Sequence, residues 1–527
     1  MHKKLDEILK KHIGKSCPIE RPKDRSFGHY ATPVAFSLAK ELKKSPIIIA
    51  EELKNKFLTE DIFESVDVAK GFLNFKFTLS YLNEYASWVL KNEDSFAKSY
   101  KDETILLEFV SANPTGPLHI GHARGAVFGD ALLKIGKHIG YNISSEYYIN
   151  DAGNQIHLLG ISILLAAKEH ILLQNVEYPE QYYKGEYIVD LAKEIASENS
   201  IDIFKDDNLE LLSEIGKNKM LILIKQNLKD VGIVFDNFIS EKSLYERWHT
   251  ILEKLENNGA IYKKDDKLWL ESSKFGDEKD RVVVRDNDIP TYLAGDIIYH
   301  DDKFQRNFDR YINIWGADHH GYIARVKAAV RFLGYDDDKL EIVLSQMVSL
   351  LKGGEPYKMS KRAGNFILMQ DVVEDIGSDA LRFIFLSKKS DTHLEFDVED
   401  LKKQDSTNPI YYINYAHARI NSIFEKSNKK ISDIIDIDLT DLNEDAITLL
   451  FEALQLGRVL EDAFESRQVQ KLTDYLKSIA SDFHSFYNSH KVIGSENEDK
   501  YLKLFAVVAT TIKVGLKLLG IKALDKM

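Results

Sequence analysis

The 527-residue chain is 44% hydrophobic and 29% charged, a globular composition well away from that of disordered or membrane proteins. Its 83 acidic residues outnumber its 70 basic residues, giving a net charge of −13, which excludes a uniformly basic surface but leaves room for a local basic one. The single cysteine, Cys17, excludes an intramolecular disulfide and a multi-cysteine zinc site, and it predicts a reducing, cytoplasmic setting. The length predicts about three domains.

Residues 1–100 are predicted to form an N-terminal α+β domain. Apolar residues recur with helical spacing over 35–42 and 47–57, and they alternate with polar ones over 71–78 as in a strand. The polar stretch 91–103 then indicates a linker.

A catalytic nucleotide-binding domain is predicted over 101–385. The apolar run 105–110 suits a buried parallel strand, residues 111–117 form a loop rich in helix breakers, and a helical pattern follows to Gly140. This order is that of the first unit of a doubly wound α/β sheet, which binds ligands at the carboxyl ends of its strands. A second buried strand is predicted at 311–315, after a charged, mostly helical insertion at about 169–287.

The C-terminal region, 386–527, is predicted to be an α-helical bundle, because the pattern from Gly377 onward is helical. Its most apolar stretch, 504–521, is interrupted by Lys513 and Lys517 one helical turn apart. That spacing favours a buried amphipathic helix over a membrane span, so we expect no membrane partner.

The first segment that suggests chemistry opens the predicted helix after the first buried strand. His119 and His122 share one helix face, and Gly121 would let a nucleotide approach the backbone. Imidazoles in this position can donate to phosphate oxygens as charge develops. The alternatives are a helix start with two incidental histidines, or a zinc pair that lacks a nearby third ligand. The segment comprises Ala112, Asn113, Pro114, Thr115, Gly116, Pro117, Leu118, His119, Ile120, Gly121 and His122.

A second segment, 357–365, is a lysine-containing loop that follows Gly353 and Gly354. Lys358 and Lys361 suit a clamp on a triphosphate or on a departing pyrophosphate. By itself, such a loop is more often a solvated surface turn.

Together, His119-Ile-Gly-His122 and Lys358-Met-Ser-Lys361 resemble the two signatures of class I aminoacyl-tRNA synthetases. The resemblance implies a Rossmann-type catalytic domain that uses ATP as substrate, with Mg²⁺ bound to the ATP and no structural metal on the protein. It implies catalytic roles for His119, His122, Lys358 and Lys361. The implied ATP-binding residues are His119, Gly121, His122, Gly316, Asp318, Lys358, Met359, Ser360 and Lys361. For Asp318, capping of the next helix is the alternative.

Further segments resemble the arginine-specific branch of this family, namely residues 27–32, 108–114, 148–155, 379–382 and 518–527. The resemblance implies that the chain activates L-arginine with ATP to arginyl-adenylate, transfers arginine to the 3′-terminal adenosine of tRNA-Arg, and acts as a monomer. It also implies that activation needs tRNA. Some members place a lysine just before the histidine signature instead of keeping the lysine signature intact. Here Gly116 occupies the upstream position and Lys361 is present.

The implied arginine site has a chemical reason that is independent of the resemblance. A guanidinium carries five donors and no acceptor, so carboxylates match it, whereas a lysine substrate cannot form the bidentate pair. For Glu108, an acid in an apolar strand, the alternative is a structural ion pair with Arg124; for Asp296, it is a helix N-cap. The matching positions are Glu108, Asn113, His119, Tyr292 and Asp296.

The helical bundle opens with a stripe of aromatic and basic residues. Tyr412, Tyr415 and Arg419 lie on one helical face, which suits stacking and hydrogen bonding to unpaired anticodon bases. Core packing is the alternative for the tyrosines. With the resemblance, we predict tRNA binding here and add Met527 to the site.

Two rival functions are set against this interpretation. A class I synthetase for another amino acid would have a neutral pocket in place of Glu108, Tyr292 and Asp296. A tRNA-binding relative without catalysis would keep the bundle but fail to exchange pyrophosphate into ATP.

Overall fold

The computed structural model describes residues 1–358 and 366–527. Met359, Ser360 and Lys361, which were predicted to bind ATP, therefore lie outside the described residues.

The N-terminal α+β unit packs helices against a three-stranded antiparallel sheet of order β1-β3-β2. The helices predicted at 35–42 and 47–57 and the strand predicted at 71–78 are confirmed within about two residues, the usual uncertainty of such boundaries. The elements are α1 His2–Ile13, β1 Tyr30–Thr32, α2 Val34–Leu42, α3 Pro46–Phe57, β2 Phe63–Ala69, β3 Phe72–Phe77 and α4 Leu79–Lys91.

A five-stranded parallel sheet forms the centre of the molecule, in the order β11-β10-β4-β5-β6. The doubly wound α/β fold class is thus confirmed, and β4, the first strand predicted for the catalytic domain, lies in the middle of the sheet. The strands are β4 Thr104–Glu108, β5 Asn142–Ile149, β6 Asn237–Ser240, β10 Arg310–Gly316 and β11 Leu340–Ser345. The helices between and after them are α5 Ile120–His138, α6 Asn154–His170, α7 Glu186–Glu198, α8 Leu209–Asp230, α9 Glu241–Leu244, α10 Trp248–Asn257, α11 Tyr292–Gln305 and α12 Ile323–Phe332.

The stretch predicted as a helical insertion differs from that description in two ways. Its residues Asn237–Ser240 form β6, the edge strand of the central sheet. Its second half contains an antiparallel sheet of β7 Ile261–Lys264, β8 Lys267–Leu270 and β9 Arg281–Val284. The chain therefore returns to the central sheet in the middle of the predicted insertion.

Beyond the central sheet, a small sheet precedes the helical bundle. Strand β14 pairs in parallel with β12, so the region predicted to be helical from Gly377 onward includes one strand. These elements are β12 Val348–Lys352, β13 Glu355–Pro356, α13 Met369–Ile376, α14 Ser378–Leu386 and β14 Leu394–Asp397. The bundle comprises α15 Pro409–Ser427, α16 Ile431–Ile434, α17 Glu444–Ala453, α18 Leu456–Glu465, α19 Gln470–Ser489 and α20 Glu498–Leu518.

Helix α20 carries the apolar stretch noted in the sequence, and most of its side chains are buried in the hydrophobic core that joins the bundle to the N-terminal unit. Even Lys503 is buried there, where its ammonium group donates to Asn83 at 2.6 Å and to Ser87 at 2.7 Å on α4. Within residues 1–358 and 366–527, no helix is both long enough and apolar enough to cross a membrane.

Candidate active site

His119 and His122 lie together at the start of α5. His119 is the N-cap residue, and its Nδ1 accepts a hydrogen bond from the Gly121 amide at 3.1 Å. The two imidazole rings stack with centroids 3.6 Å apart. A side chain at Gly121 would not fit, because its Cβ would lie 2.9 Å from the His119 ring. The glycine therefore allows His119 to fold over the helix start.

Both imidazoles are neutral at pH 7. Burial lowers the pKa of His119, and burial together with the neighbouring His119 lowers the pKa of His122 to about 3. In the described part of the chain, the buried Nδ1 of His122 has no hydrogen-bond partner. The pair can thus offer hydrogen bonds to a bound phosphate, while positive charge has to come from other groups.

The segment after the lysine loop is fastened to the histidine segment. Residues 118–120 pair with residues 367–369 through two backbone hydrogen bonds of 2.9 Å. The ring of Phe366 stacks on His119 with centroids 5.0 Å apart. Lys358, on the other side of the loop, is exposed to solvent. Residues 366–369, which follow the lysine loop in the chain, are therefore held beside the histidines.

A cavity of about 530 Å³ opens directly on the histidines and is walled on one side by tyrosines of the insertion. The Tyr187 hydroxyl donates to the carbonyl of Thr115 at 3.2 Å, and a Cβ on Gly116 would lie 3.3 Å from that hydroxyl. A side chain at position 116 would therefore be in tight contact with Tyr187. The lining residues are Asn113, Thr115, Gly116, Pro117, His119, His122, Glu180, Tyr182, Tyr183, Lys184, Tyr187, Phe366 and Leu368.

Helix α11 contributes a stripe of functional groups, since Tyr292, Asp296, Tyr299 and Lys303 follow one another on one helical face. Asp296 is half-buried, and burial, followed by the charges of Glu241 and Glu108, raises its pKa to about 7. The helix begins at Tyr292 after the N-cap Thr291, so Asp296 lies in the second turn. The helix N-cap alternative for Asp296 is therefore wrong.

Glu241 is the acidic residue that the sequence analysis missed. It is buried, and its Oε1 accepts from the Tyr245 hydroxyl at 3.3 Å, whereas its Oε2 has no hydrogen-bond partner among residues 1–358 and 366–527. Burial raises its pKa to about 7, and its charge is one cause of the raised pKa of Asp296. A Cβ on Gly295 would lie 2.4 Å from the Glu241 carboxylate, so this glycine lets the acid approach α11.

Glu241 could have been found from its position at the carboxyl end of β6, where ligands bind in such sheets. The assignment of β6 to a helical insertion concealed that signal.

Glu108 is buried as well, and it already has partners. One carboxylate oxygen accepts from Lys303 at 2.5 Å and the other from the Ser111 hydroxyl at 3.0 Å. Lys303 also donates to Asn313 at 2.8 Å. Arg124, the alternative partner considered for Glu108, instead donates to backbone carbonyls. Glu108 therefore has an ion pair, but with a different residue.

The turn after Glu108 has an unusual backbone. Val110 and Ser111 have φ values of 74° and 47°, a left-handed conformation that costs non-glycine residues on the order of 1–3 kcal/mol each. Strand β5 supports the turn: the Tyr147 hydroxyl donates to the carbonyl of Ala112 at 2.8 Å, and the amide of Tyr148 donates to the Ser111 hydroxyl at 3.2 Å.

The remaining predicted residues lie around these groups. Tyr292 is 57% exposed, and its ring lies 3.8 Å from a Cβ built on Gly153. Gly316 ends β10, beside β4, and Asp318 is exposed in the turn that follows. Asp318 does not cap α12, whose N-cap position is Tyr322.

A separate cavity of about 400 Å³ in the helical bundle contains three of the residues predicted to bind tRNA, Tyr415, Arg419 and Met527. Arg419 donates to the Tyr415 hydroxyl at 2.6 Å and lies 4.5 Å from the centre of its ring. Tyr412 instead packs against His484, with ring centroids 4.7 Å apart, and does not line the cavity.

Comparison with known proteins gives three family matches that together span the chain. Residues 1–77 match the arginyl tRNA synthetase N-terminal domain, residues 86–446 match the catalytic domain of class I tRNA synthetases (R), and residues 413–527 match the DALR anticodon-binding domain.

Two curated relatives are similar over nearly their full length. The chain is 65% identical to a protein of Nitratiruptor sp. named arginine–tRNA ligase, over all of both chains. It is 59% identical to one of the same name from Campylobacter jejuni, over 98% of each chain. A solved structure of Thermus thermophilus arginyl-tRNA synthetase, 21% identical, superposes with a TM-score of 0.80 and covers both chains completely, which shows a shared fold.

Proposed function

The chain belongs to the arginyl-tRNA synthetases of class I, and from this premise we propose how its residues divide the work of the reaction. It is an arginine–tRNA ligase, which activates L-arginine with ATP to arginyl-adenylate and transfers arginine to the 3′-terminal adenosine of tRNA-Arg. The predicted fold and function are thereby confirmed. The assignment of individual residues that follows is our proposal.

We propose that the side chain of arginine lies between Asp296 on α11 and Glu241 at the end of β6. Glu241 has a buried carboxylate oxygen without a partner among the described residues, and a guanidinium offers paired donors for it. The two acids share a raised pKa because each is withdrawn from water, so a bound cation would relieve an unfavourable arrangement. Tyr292 stands at the exposed edge of this pocket.

Asn113 and His119 would hold the backbone end of arginine near the α-phosphate of ATP. Both line the cavity in front of α5, and the turn that carries Asn113 begins directly after Glu108. Placing the arginine carboxylate in line with the phosphorus is the main task, because such transfers need positioning and charge stabilisation more than a strong base.

The neutral imidazoles of His119 and His122 would donate hydrogen bonds to phosphate oxygens of ATP. Lys358 and Lys361 would supply positive charge to the pyrophosphate as it leaves. We also propose that Gly121, Gly316 and Asp318, with Met359 and Ser360, contribute to ATP binding.

Magnesium would enter this site on the triphosphate. The described residues contain no group of three or more His, Cys, Asp or Glu side chains arranged to hold a metal ion. A magnesium ion that keeps most of its ligands from phosphate and water needs no such group of side chains. Bound in this way, it would neutralise charge on the triphosphate.

We propose that the anticodon of tRNA-Arg binds the bundle cavity at Tyr415, Arg419 and Met527, with Tyr412 as support. A stacked arginine and tyrosine offer a face for an unpaired base together with donors for its edge. We also propose domain limits of 1–100, 101–385 and 386–527. We further propose that the protein acts as a monomer and is located in the cytoplasm.

The observation that carries the arginine assignment is the buried Oε2 of Glu241, which has no hydrogen-bond partner in the described parts of the chain and whose charge acts on Asp296. The direct test is aminoacylation of total tRNA with each of the twenty standard amino acids in turn. Arginine alone should be transferred to tRNA. Transfer of lysine at a similar rate would contradict a pocket that depends on bidentate recognition.

A further inference from the structure

Lys303 is a fully buried cation that the reaction described above does not use. It lies on α11, on the same face as Asp296, and its side chain has 0% exposure to solvent. Its ammonium group lies 2.5 Å from the carboxylate of Glu108 and 4.3 Å from the centre of the Tyr299 ring. A buried lysine in such close contact keeps its position, because moving away would leave the Glu108 carboxylate buried without its partner.

The carboxylate that Lys303 holds belongs to a row of polar residues across the central sheet. Asn313, Glu108 and Glu146 are direct neighbours on β10, β4 and β5. Lys303 contacts Asn313 and Glu108, while Arg306 pairs with Glu146. Two separate ion pairs therefore hold the end of helix α11 to this row. They differ in which residues the carboxylate of each pair contacts next.

Beyond Glu108 lies the left-handed turn that leads to the active site. The other oxygen of Glu108 accepts from the Ser111 hydroxyl at 3.0 Å, and Ser111 itself has φ 47°. A strained turn persists only when its surroundings hold it, and Asn113 and His119 both follow this turn in the chain.

We infer that Lys303 is a positioning residue for the activation step, acting through Glu108 and Ser111 on the turn that places Asn113 and His119. The inference rests on the arginine site proposed above and adds a specific role for Glu108. Both oxygens of Glu108 have partners inside the protein, whereas Oε2 of Glu241 has none within the part of the chain that the structure describes. Guanidinium recognition thus falls to Asp296 and Glu241, and Glu108 acts on the geometry of the turn.

The test measures kcat and the KM for arginine in pyrophosphate exchange with cognate tRNA present, corrected for the active fraction by active-site titration. Lys303→Met should lower kcat by about tenfold to a hundredfold, as expected for a displaced reacting group, and change the KM for arginine by less than about threefold. Arg306→Met is the matched control. It breaks an equally short 2.5 Å pair to a fully buried acid of the same row, yet it should leave kcat within about threefold of the unaltered enzyme.

The serine in the turn provides a second test that disturbs no charge. Ser111→Ala removes the hydroxyl and keeps a side chain in the left-handed region, whereas Ser111→Gly removes the hydroxyl but adopts that region without strain. Ser111→Ala should therefore lose more kcat than Ser111→Gly. If Lys303→Met does not fold, the double variant Glu108→Gln/Lys303→Met removes both charges and keeps an acceptor for Ser111, so it should fold with an unchanged KM for arginine.

Three results would overturn the inference. Wild-type kcat per active site in Lys303→Met or in the double variant would show that Lys303 serves stability alone. A KM for arginine in the double variant raised as far as in Asp296→Asn would make Glu108 a guanidinium ligand. Equal kcat losses in the two Ser111 variants would remove the turn from the mechanism. Failure of the unaltered protein to exchange pyrophosphate with arginine would instead contradict the proposed function.

Discussion

At the scale of single residues, we propose that Asp296 and Glu241 recognise the guanidinium of arginine. Removing one carboxylate from a buried, hydrogen-bonded charge pair costs about 3 kcal/mol, which corresponds to about a hundredfold in affinity. We therefore expect Asp296→Asn and Glu241→Gln each to raise the KM for arginine about a hundredfold. Asp302→Asn is the control, because Asp302 lies on the same helix but pairs with Arg247. A similar KM in all three variants would contradict the pocket.

The raised pKa values of these two acids predict a pH dependence. Both have a pKa of about 7 and are partly protonated near neutrality, whereas a guanidinium binds their ionised forms. The KM for arginine should therefore fall as pH rises from 6 to 8 and level off above that range. Arginine binding measured by calorimetry in buffers of different ionisation heat should release protons at pH 7. A KM that is independent of pH in this range would contradict shared protonation of the pair.

The same two groups affect the stability of the free protein in the opposite direction. A carboxyl group with a pKa raised in the folded state contributes stability at low pH that is lost as pH rises through its folded value. The unliganded protein should thus lose part of its stability as pH rises from about 4 to about 7, and arginine should raise Tm more at pH 8 than at pH 6. An arginine-induced shift in Tm that is larger at pH 6 would rule this out.

At the scale of secondary-structure elements, the sequence predicted the catalytic framework well. Strand β4, helix α5 and strand β10 were recognised because a buried apolar run, a breaker-rich loop and a long helical period leave clear patterns. Strand β6 was missed because it has only 4 residues and lies between two helical stretches. Its pairing with β5 depends on contacts between distant parts of the chain, which no local pattern records.

The residues of the candidate site divide in the same way, into those with a local sequence pattern and those whose role depends on contacts between distant parts of the chain. The histidine segment was predicted from a local motif, and Tyr292 and Asp296 on α11 were predicted from resemblance. Glu241 and Lys303 were not, since an acid after a short strand and a lysine within a helix are ordinary in sequence. Their roles arise from burial and from partners such as Glu108, which is 195 positions from Lys303 along the chain.

In the helical bundle, Arg419 provides an element-scale prediction. Its guanidinium stacks on Tyr415 and lines the cavity proposed for the anticodon. Arg419→Ala should raise the KM for tRNA by about tenfold to a hundredfold, the range expected for loss of one base-recognising contact, and leave the KM for arginine unchanged. Arg458→Ala, on α18 and outside this cavity, is the control. Unchanged charging kinetics in Arg419→Ala would place anticodon recognition elsewhere.

At the scale of the whole molecule, Arg382 joins parts that are far apart in the sequence. It is fully buried and forms an ion pair with Asp130 on α5, while it donates at 2.8 Å to the carbonyls of Val231 and Leu519. A Cβ on Gly520 would lie 2.4 Å from its guanidinium. The arginine of the Asp-Ala-Leu-Arg tetrad therefore connects the histidine helix, the insertion and the end of the last bundle helix.

Arg382→Ala should accordingly destabilise the protein by about 3 kcal/mol, because buried Asp130 then keeps only Lys134 as an ion-pair partner and the carbonyls of Val231 and Leu519 lose their donor. Arg467→Ala serves as a comparison, since Arg467 also joins the bundle to the central sheet but pairs with Glu341, which is 36% exposed. Thermal unfolding should give a clearly lower Tm for Arg382→Ala than for Arg467→Ala. Equal Tm values would show that the Arg382 contacts are not a main junction.

The position of the guanidinium of bound arginine is the central claim. A crystal structure of the protein with L-arginine alone measures this position directly. We expect guanidinium nitrogens within about 2.7–3.2 Å of carboxylate oxygens of both Asp296 and Glu241. Glu108 should keep its contacts with Lys303 and Ser111. A guanidinium bound to Glu108 in place of Lys303, or located away from Asp296 and Glu241, would contradict the account.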